Sequence, residues 1–234
     1  MSDYYYYNGE PSGGGRRFMA NVPTVTRNLI IINIIVFVAT LINQDFMTRT
    51  FALFYPTSSM FHLWQIVTHM FMHGGFWHIL FNMYTLWMFG SVLERMIGEK
   101  KFLIFYFVCG LGAVALHTGV EYLQVQAWIA NGSAAALQSY GALKMTPTVG
   151  ASGAIYGVII GYAMLFPESR LTLLFPPVTL SAKWMVIIFA AIELLTGITG
   201  AAASVAHFAH LGGMLFGWLL ITYWKKKGTL FDRK

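Results

Sequence analysis

TVGASGAIYGVIIGYAM, residues 148–164, is the stretch that decides how this chain folds. Gly153, Gly157 and Gly161 recur every fourth residue. On a helix they form one stripe of small residues that lets another helix backbone approach closely. AHFAHLGGMLFGW, residues 206–218, repeats that spacing at Gly213 and Gly217. Alone, such stripes are helix-packing surfaces and nothing more. Each also carries a polar residue: Ser152 opens the first, and His210 lies three residues before Gly213. A serine on an apolar helix is most often bonded to backbone or simply packed, whereas a histidine there is costly and is read first as functional. If the stripes face each other, the Ser152 hydroxyl and the His210 imidazole come within hydrogen-bond reach, as activation of a weak nucleophile requires. Tyr156 follows Ser152 by one turn, about 6 Å along the axis, where it can stack on or orient the histidine.

The rest of the chain shows that lipid is the solvent for these helices. Of 234 residues, 57% are hydrophobic and 10% charged, with a mean hydropathy of +0.61. A soluble domain usually carries about a quarter charged residues, and a chain this short must still present a surface to its solvent. The net charge of +6 does not point to nucleic acid, because the basic residues form short runs flanking apolar segments rather than a basic groove. Cys109 is the single cysteine, so no intrachain disulfide forms, and its setting in YFVCGLG is that of a small buried hydrophobe.

Crossing roughly 30 Å of hydrocarbon takes about 20 mainly apolar residues. Six segments qualify, at about 28–43, 77–97, 101–123, 151–166, 183–199 and 205–224. Between the first two, residues 44–75 are too apolar and aromatic for a solvated loop and are broken by Pro56 and Gly74-Gly75. Irregular backbone at membrane depth survives only where protein or water satisfies it, so a partly inserted interfacial loop is expected. Placing the N-terminus inside puts thirteen of the fifteen basic residues on the cytoplasmic side, with only Arg49 and Lys144 outside. The expectation is an all-α, multi-pass protein of the bacterial inner membrane with both termini cytoplasmic. It divides into a disordered tail (1–27, rich in Gly and Tyr at its start), a membrane domain (28–224) and a basic tail (225–234). The outside stretch 124–149 offers at most a short surface helix.

A third constellation is HMFMHGGFWHILFNMY, residues 69–84. His78 and Asn82 share a helix face, and both side chains donate hydrogen bonds. Aimed at a reacting carbonyl together with the Ser152 N–H, they would stabilise an oxyanion. His62, His69 and His73 raise a rival metal-site reading. No HExxH motif and no nearby cysteine or carboxylate completes a zinc set, so His69 and His73 are expected to bond the irregular loop backbone. Of nine carboxylates, Glu121 and Glu193 lie inside apolar runs. Glu193 stays open among a third catalytic member, a gate residue and a protonated buried glutamate, the last favoured. His207 has no assigned role. A Ser-His dyad is the economical reading.

The three blocks HMFMHGGFWHILFN, GASGAIYG and AHLGGMLFG, in this order, resemble the rhomboid intramembrane proteases over about residues 28–224. The resemblance implies a six-helix bundle with catalytic Ser152 and His210, Tyr156 packed on His210, and oxyanion donors from His78, Asn82 and the Ser152 backbone. It further implies a serine endopeptidase cutting in or near transmembrane segments of membrane-protein substrates, in contact with lipid, using no cofactor, metal or nucleic acid. Segment five, with Trp184 and Phe189, is by the same analogy the gate for substrate. Two departures stand out: Trp64-Gln65 replaces the family's Trp-Arg, and Glu94-Arg95-Met96 keeps the glutamate but not the arginine of Glu-x-Arg. They bear on loop stability and lipid contacts rather than on chemistry. The alternatives are a silent binding relative on the same fold, which the intact Ser152/His210 pair argues against, and a metal-dependent membrane enzyme.

Overall fold

The computed structural model describes residues 22–173, 177–199 and 204–231. The expected disorder of the N-terminal tail falls almost wholly outside the described residues. Helix α1 (Thr24–Ile42) is apolar on nearly every face, and Ile34, Ile35, Leu41 and Ile42 are exposed. A helix this apolar needs lipid around it. A short helix α2 (Gln44–Phe51) and α3 (Gln65–Thr68) follow, the latter continuing as a 3₁₀ turn at His69–Phe71. Helix α4 (Phe76–Thr85) passes through a π turn at Leu86–Gly90 into α5 (Ser91–Ile97), so one rod covers the second apolar segment. Then come α6 (Glu99–Asn131), α7 (Ala134–Met145), α8 (Ser152–Leu165), α9 (Ala182–Thr199) and α10 (Ser204–Lys226).

By length and composition α1, α6 and α9 can each cross a membrane. The architecture is a polytopic helical membrane fold. Helix α6 runs eight residues past the expected end at 123, because Gln, Ala and Trp continue the helix after the apolar pattern fades. Gly132 stops it with φ +65°, donating its N–H to the Trp128 carbonyl. Ser133 then caps α7 by accepting from the Ala136 N–H at 3.2 Å. One element lies outside the helical reading: an antiparallel ribbon, β1 (Arg170–Thr172) with β2 (Thr179–Ser181), joins α8 to α9.

Helix α8 is the core of the bundle, wedged between α6 and α10. A Cβ on Gly153 would meet the Ala113 Cβ at 2.4 Å, and one on Gly157 the Cys109 Sγ at 2.3 Å and the Gly213 carbonyl at 2.9 Å. The two glycine stripes therefore face each other, with backbone against backbone.

The glutamate kept from the family pattern and the glutamine that departs from it both find structural roles. Glu94, fully buried, accepts from the Val25 N–H at 2.9 Å and from the Thr26 N–H and hydroxyl at 2.7 Å each. A carboxylate satisfies orphan donors at a helix N-terminus and complements its dipole, so Glu94 fastens α1 to α5. Gln65, also buried, accepts from the Phe54 and His62 N–H groups and donates to the carbonyls of Arg49 and Met60. One amide thus satisfies the backbone of the irregular loop from several sides.

Candidate active site

Helix α8 has 14 residues, about 21 Å at 1.5 Å per residue, which is short of the roughly 30 Å hydrocarbon layer. Its first residue, Ser152, meets His210, which lies nearly two turns into α10, so α8 starts deeper in the bundle than α10 does. The turn ahead of it is held by the loop: Leu53 and Thr148 exchange backbone hydrogen bonds at 3.0 and 2.8 Å, and the Gly150 N–H donates to the His69 carbonyl at 3.0 Å. Gly150 has φ +135°, a conformation that L side chains rarely adopt. A Cβ there would also lie 3.0 Å from the His78 ring and 3.5 Å from Ser152 Oγ. Glycine is required twice over, and the His78 imidazole and the Ser152 hydroxyl are neighbours across it.

Ser152 Oγ lies 2.9 Å from His210 Nε2. With Nε2 accepting the hydroxyl proton, Nδ1 carries the ring proton of the neutral imidazole. The Tyr156 ring stacks on His210 at a centroid separation of 4.2 Å and an interplanar angle of 6°. Two segments distant in sequence thus meet at one point, because the glycine stripes allow α8 and α10 to touch.

Glu193 and His207 complete the cluster. Tyr156 Oη donates to Glu193 Oε1 at 2.5 Å, and His207 Nδ1 lies 2.5 Å from Oε2. His210 Nδ1 is 2.9 Å from Oε1, though off the line of its N–H. Sequence reasoning left His207 without a role and favoured a protonated Glu193. Neither side chain has a local motif that signals the other; only the approach of α9 to α10 brings them together. Among the described residues, Glu193, His207 and His210 are also the one set of three whose ligand atoms converge, within 4.8 Å of one another. The metal reading at His62, His69 and His73 meets a different arrangement. His62 stacks on Trp64 at 4.3 Å, His69 Nδ1 donates to the Gln65 carbonyl at 2.9 Å, and His73 packs edge-on against His78 at 5.0 Å. Burial lowers the pKa of His69 to about 4, which keeps it a neutral donor. His69 thus bonds the loop backbone. The His73 ring is turned onto His78, with the Phe71 backbone as its polar neighbour in the loop.

His78 Nδ1 accepts from the Gly74 N–H at 3.4 Å, which leaves Nε2 protonated on the side of Gly150 and Ser152. Asn82, one turn on and buried, has its Nδ2 without a hydrogen-bond partner among the described residues. A buried donor left unpaired costs about 1–3 kcal/mol unless something uses it. The Ser152 N–H, at the first position of α8, is likewise outside the helix ladder.

Beside Ser152 and His210 lies a cavity of about 50 Å³, lined also by His69, His117, Thr148 and Gly150. At roughly 10–15 Å³ each it has room for a few waters. His117, on α6, bonds Thr148 Oγ1 at 3.1 Å and sits 3.3 Å from Glu121, which gives that buried carboxylate its partner. A larger apolar groove opens between α4 and α9, with Trp77, Phe81, Met185 and Phe189 in its wall. Trp184 points outward, 55% exposed.

The Rhomboid domain family model matches residues 60–227. Among similar proteins, the cattle (Bos taurus) presenilin-associated rhomboid-like protein, mitochondrial, is 34% identical over 166 residues, 68% of this chain and 39% of that protein. Rhomboid protein 1, mitochondrial, of Saccharomyces cerevisiae is 28% identical over 160 residues, 67% of this chain and 41% of that protein. The rhomboid protease AarA of Providencia stuartii is 27% identical over 218 residues, 87% of this chain and 73% of that protein. The match thus spans about two fifths of the length of the two mitochondrial relatives.

Proposed function

The chain belongs to the rhomboid family, and on that premise we propose that it is an intramembrane serine endopeptidase working through Ser152 and His210. The observation that carries the reading is the 2.9 Å contact between Ser152 Oγ and His210 Nε2. A silent binding relative would have no need of it. In the proposed reaction Oγ attacks the carbonyl carbon of the scissile peptide bond while its proton passes to Nε2. The new C–O bond pushes charge onto the carbonyl oxygen, which faces the donors of His78, Asn82 and the Ser152 N–H. Collapse breaks the C–N bond, and His210 returns the proton to the leaving amine. Water from the cavity beside Ser152 then attacks the acyl-serine, with His210 again taking the proton and Ser152 recovering it.

The substrates are transmembrane segments of other proteins, entering along the groove between α4 and α9, with Phe189 rather than Trp184 on its wall. The chain is an integral membrane protein. Two of the relatives above are named mitochondrial, which gives the expectation of a bacterial inner membrane no support. The proposal is therefore confined to orientation, with both termini on the side that holds most of the basic residues. The proposed reaction uses no metal: in it the Nδ1 atoms of His207 and His210 donate toward Glu193 rather than ligate an ion. The direct test is a fluorophosphonate probe, which forms a covalent bond only with an activated serine. Labelling of the native chain that disappears in Ser152→Ala supports the reading, and equal labelling of both refutes it.

Oxyanion donors should matter less than the nucleophile. Loss of one such donor typically costs about 10²–10³ in rate, some 3–4 kcal/mol. His78→Ala or Asn82→Ala should therefore lower kcat by about that factor with KM little changed and measurable activity left. If these residues only tie the loop to α4, their loss lowers the melting temperature and scatters both constants instead. Full activity of the double alanine variant would place the oxyanion elsewhere.

A further inference from the structure

The carboxylate of Glu193 is the least expected group in the cluster. It is buried on an apolar helix, where an ionised group persists only if it is paired and hydrogen-bonded. All three of its neighbours are in a position to donate. Tyr156 Oη and His210 Nδ1 approach Oε1, and His207 Nδ1 approaches Oε2. For Nε2 to accept the Ser152 proton His210 must carry its ring proton on Nδ1, and a hydroxyl can always donate. An acceptor-only carboxylate can accept from Tyr156 and His207 while lying 2.9 Å from His210 Nδ1, whereas a protonated acid must turn its own O–H toward one of them.

We propose that Glu193 is a positioning residue for His210, extending the Ser152–His210 pair into a membrane-buried Ser-His-Glu set with Tyr156 and His207 as the carboxylate's other supports. This rests on the reading of Ser152 and His210 given above. The carboxylate does not take the proton. It selects the Nδ1–H tautomer, so that Nε2 is bare toward the serine, and it faces the imidazolium formed when the serine proton arrives. The Glu193–His210 contact is close but off the N–H line before reaction, and such contacts tighten in the reacting complex. The groups facing His210 are Ser152 and Tyr156 on α8, Glu193 on α9, His207 on its own helix, and His78 across Gly150. Of these, only Glu193 carries a negative charge.

The placement also explains why the carboxylate comes from α9. Helix α10 presents His207 and His210 one turn apart on the face toward α9, and α8 presents Tyr156 to the same point. Glu193 is where a single side chain reaches all three.

Glu193→Gln tests the proposal, because it keeps the shape and one acceptor but turns an amide NH₂ toward at least one donor. It should lower kcat by up to about 10⁴-fold, the loss that a wrong-tautomer variant of a Ser-His-Asp triad shows, with KM within about twofold. Glu193→Asp, which keeps the charge, should recover part of the loss. A second readout needs no activity. In ¹⁵N-histidine spectra of the full chain in micelles, His210 should show protonated Nδ1 and bare Nε2. Glu193→Gln should abolish or mix that pattern. A residue that merely anchors α9 predicts the opposite: a lower melting temperature, unchanged kcat per folded molecule and an unchanged His210 tautomer. That result would overturn the proposal. If the native chain shows no Ser152-dependent hydrolysis, the protease reading falls, while the tautomer measurement still decides whether Glu193 sets the histidine.

Discussion

Ser152→Ala is expected to abolish cleavage of a transmembrane substrate while leaving the fold intact. In the proposed reaction the hydroxyl forms the bond to the scissile carbonyl, and no other described hydroxyl or thiol lies at His210 Nε2. Cys109, the one thiol, is buried against Gly157, more than a turn along α8 from Ser152. His210→Ala removes the group that takes the proton and should cost as much. For residues acting as one unit each single loss is on the order of 10⁶ in kcat, and the double variant is little worse than either. Stability should change little on truncating Ser152, because its Oγ contributes a single hydrogen bond, about 1 kcal/mol. The measurement is turnover of a membrane-embedded peptide in proteoliposomes for the two singles and the double, each with its melting temperature. EDTA should leave the native rate unchanged. Substantial turnover by well-purified Ser152→Ala would sink the mechanism. Loss in EDTA with recovery in zinc would move the chemistry to the Glu193, His207 and His210 set acting as metal ligands.

Gly213→Ala should do what Ser152→Ala does not, and lower stability and activity together. A Cβ at Gly213 would lie 1.8 Å from the Gly153 carbonyl oxygen. The obstacle is backbone, so no rotamer relieves it, and α8 and α10 must move apart. Overpacking a well-packed interior usually costs about 1–3 kcal/mol. Here a backbone-on-backbone collision should reach the upper end or beyond it, about 3 kcal/mol or more. The same separation draws His210 away from Ser152, since both are set by this contact. Gly217→Ala is the internal control: its Cβ would approach the Gly157 carbonyl at 3.0 Å, a contact that a few tenths of an ångström relieve, so its effect should be smaller. Unfolding of both variants in micelles and their fluorophosphonate labelling give the comparison. Native stability and labelling in Gly213→Ala would show that the stripes do not hold the site together.

Much of this molecule was legible because membrane helices advertise themselves locally. Apolar runs of spanning length, glycines at every fourth position and a short list of polar residues on those helices are properties of nearby residues. The Ser152, Tyr156 and His210 geometry followed from one further assumption, that two stripes of equal spacing pack together. The expected end of α6 at 123 failed for a local reason too: apolar periodicity reports burial, while helix formation continues until Gly132 interrupts it. The ribbon at Arg170–Thr172 and Thr179–Ser181 has only three residues per strand, too few for an alternating pattern to show.

The sequence alone determined the lipid setting and the helical class, because each depends on composition or on spacing within one segment, and three motif blocks in a fixed order carried the family resemblance and the candidate site residues. Tertiary structure decided the rest: that Glu94 caps α1, that Gln65 satisfies the irregular loop, that His73 turns onto His78, and that Glu193 joins Tyr156, His207 and His210. Each of these is a polar side chain whose partners lie on another segment or in an irregular turn. A buried polar group must find a partner, but nothing in its own neighbourhood says which one. Only the approach of backbones, set by small residues elsewhere in the chain, makes that choice.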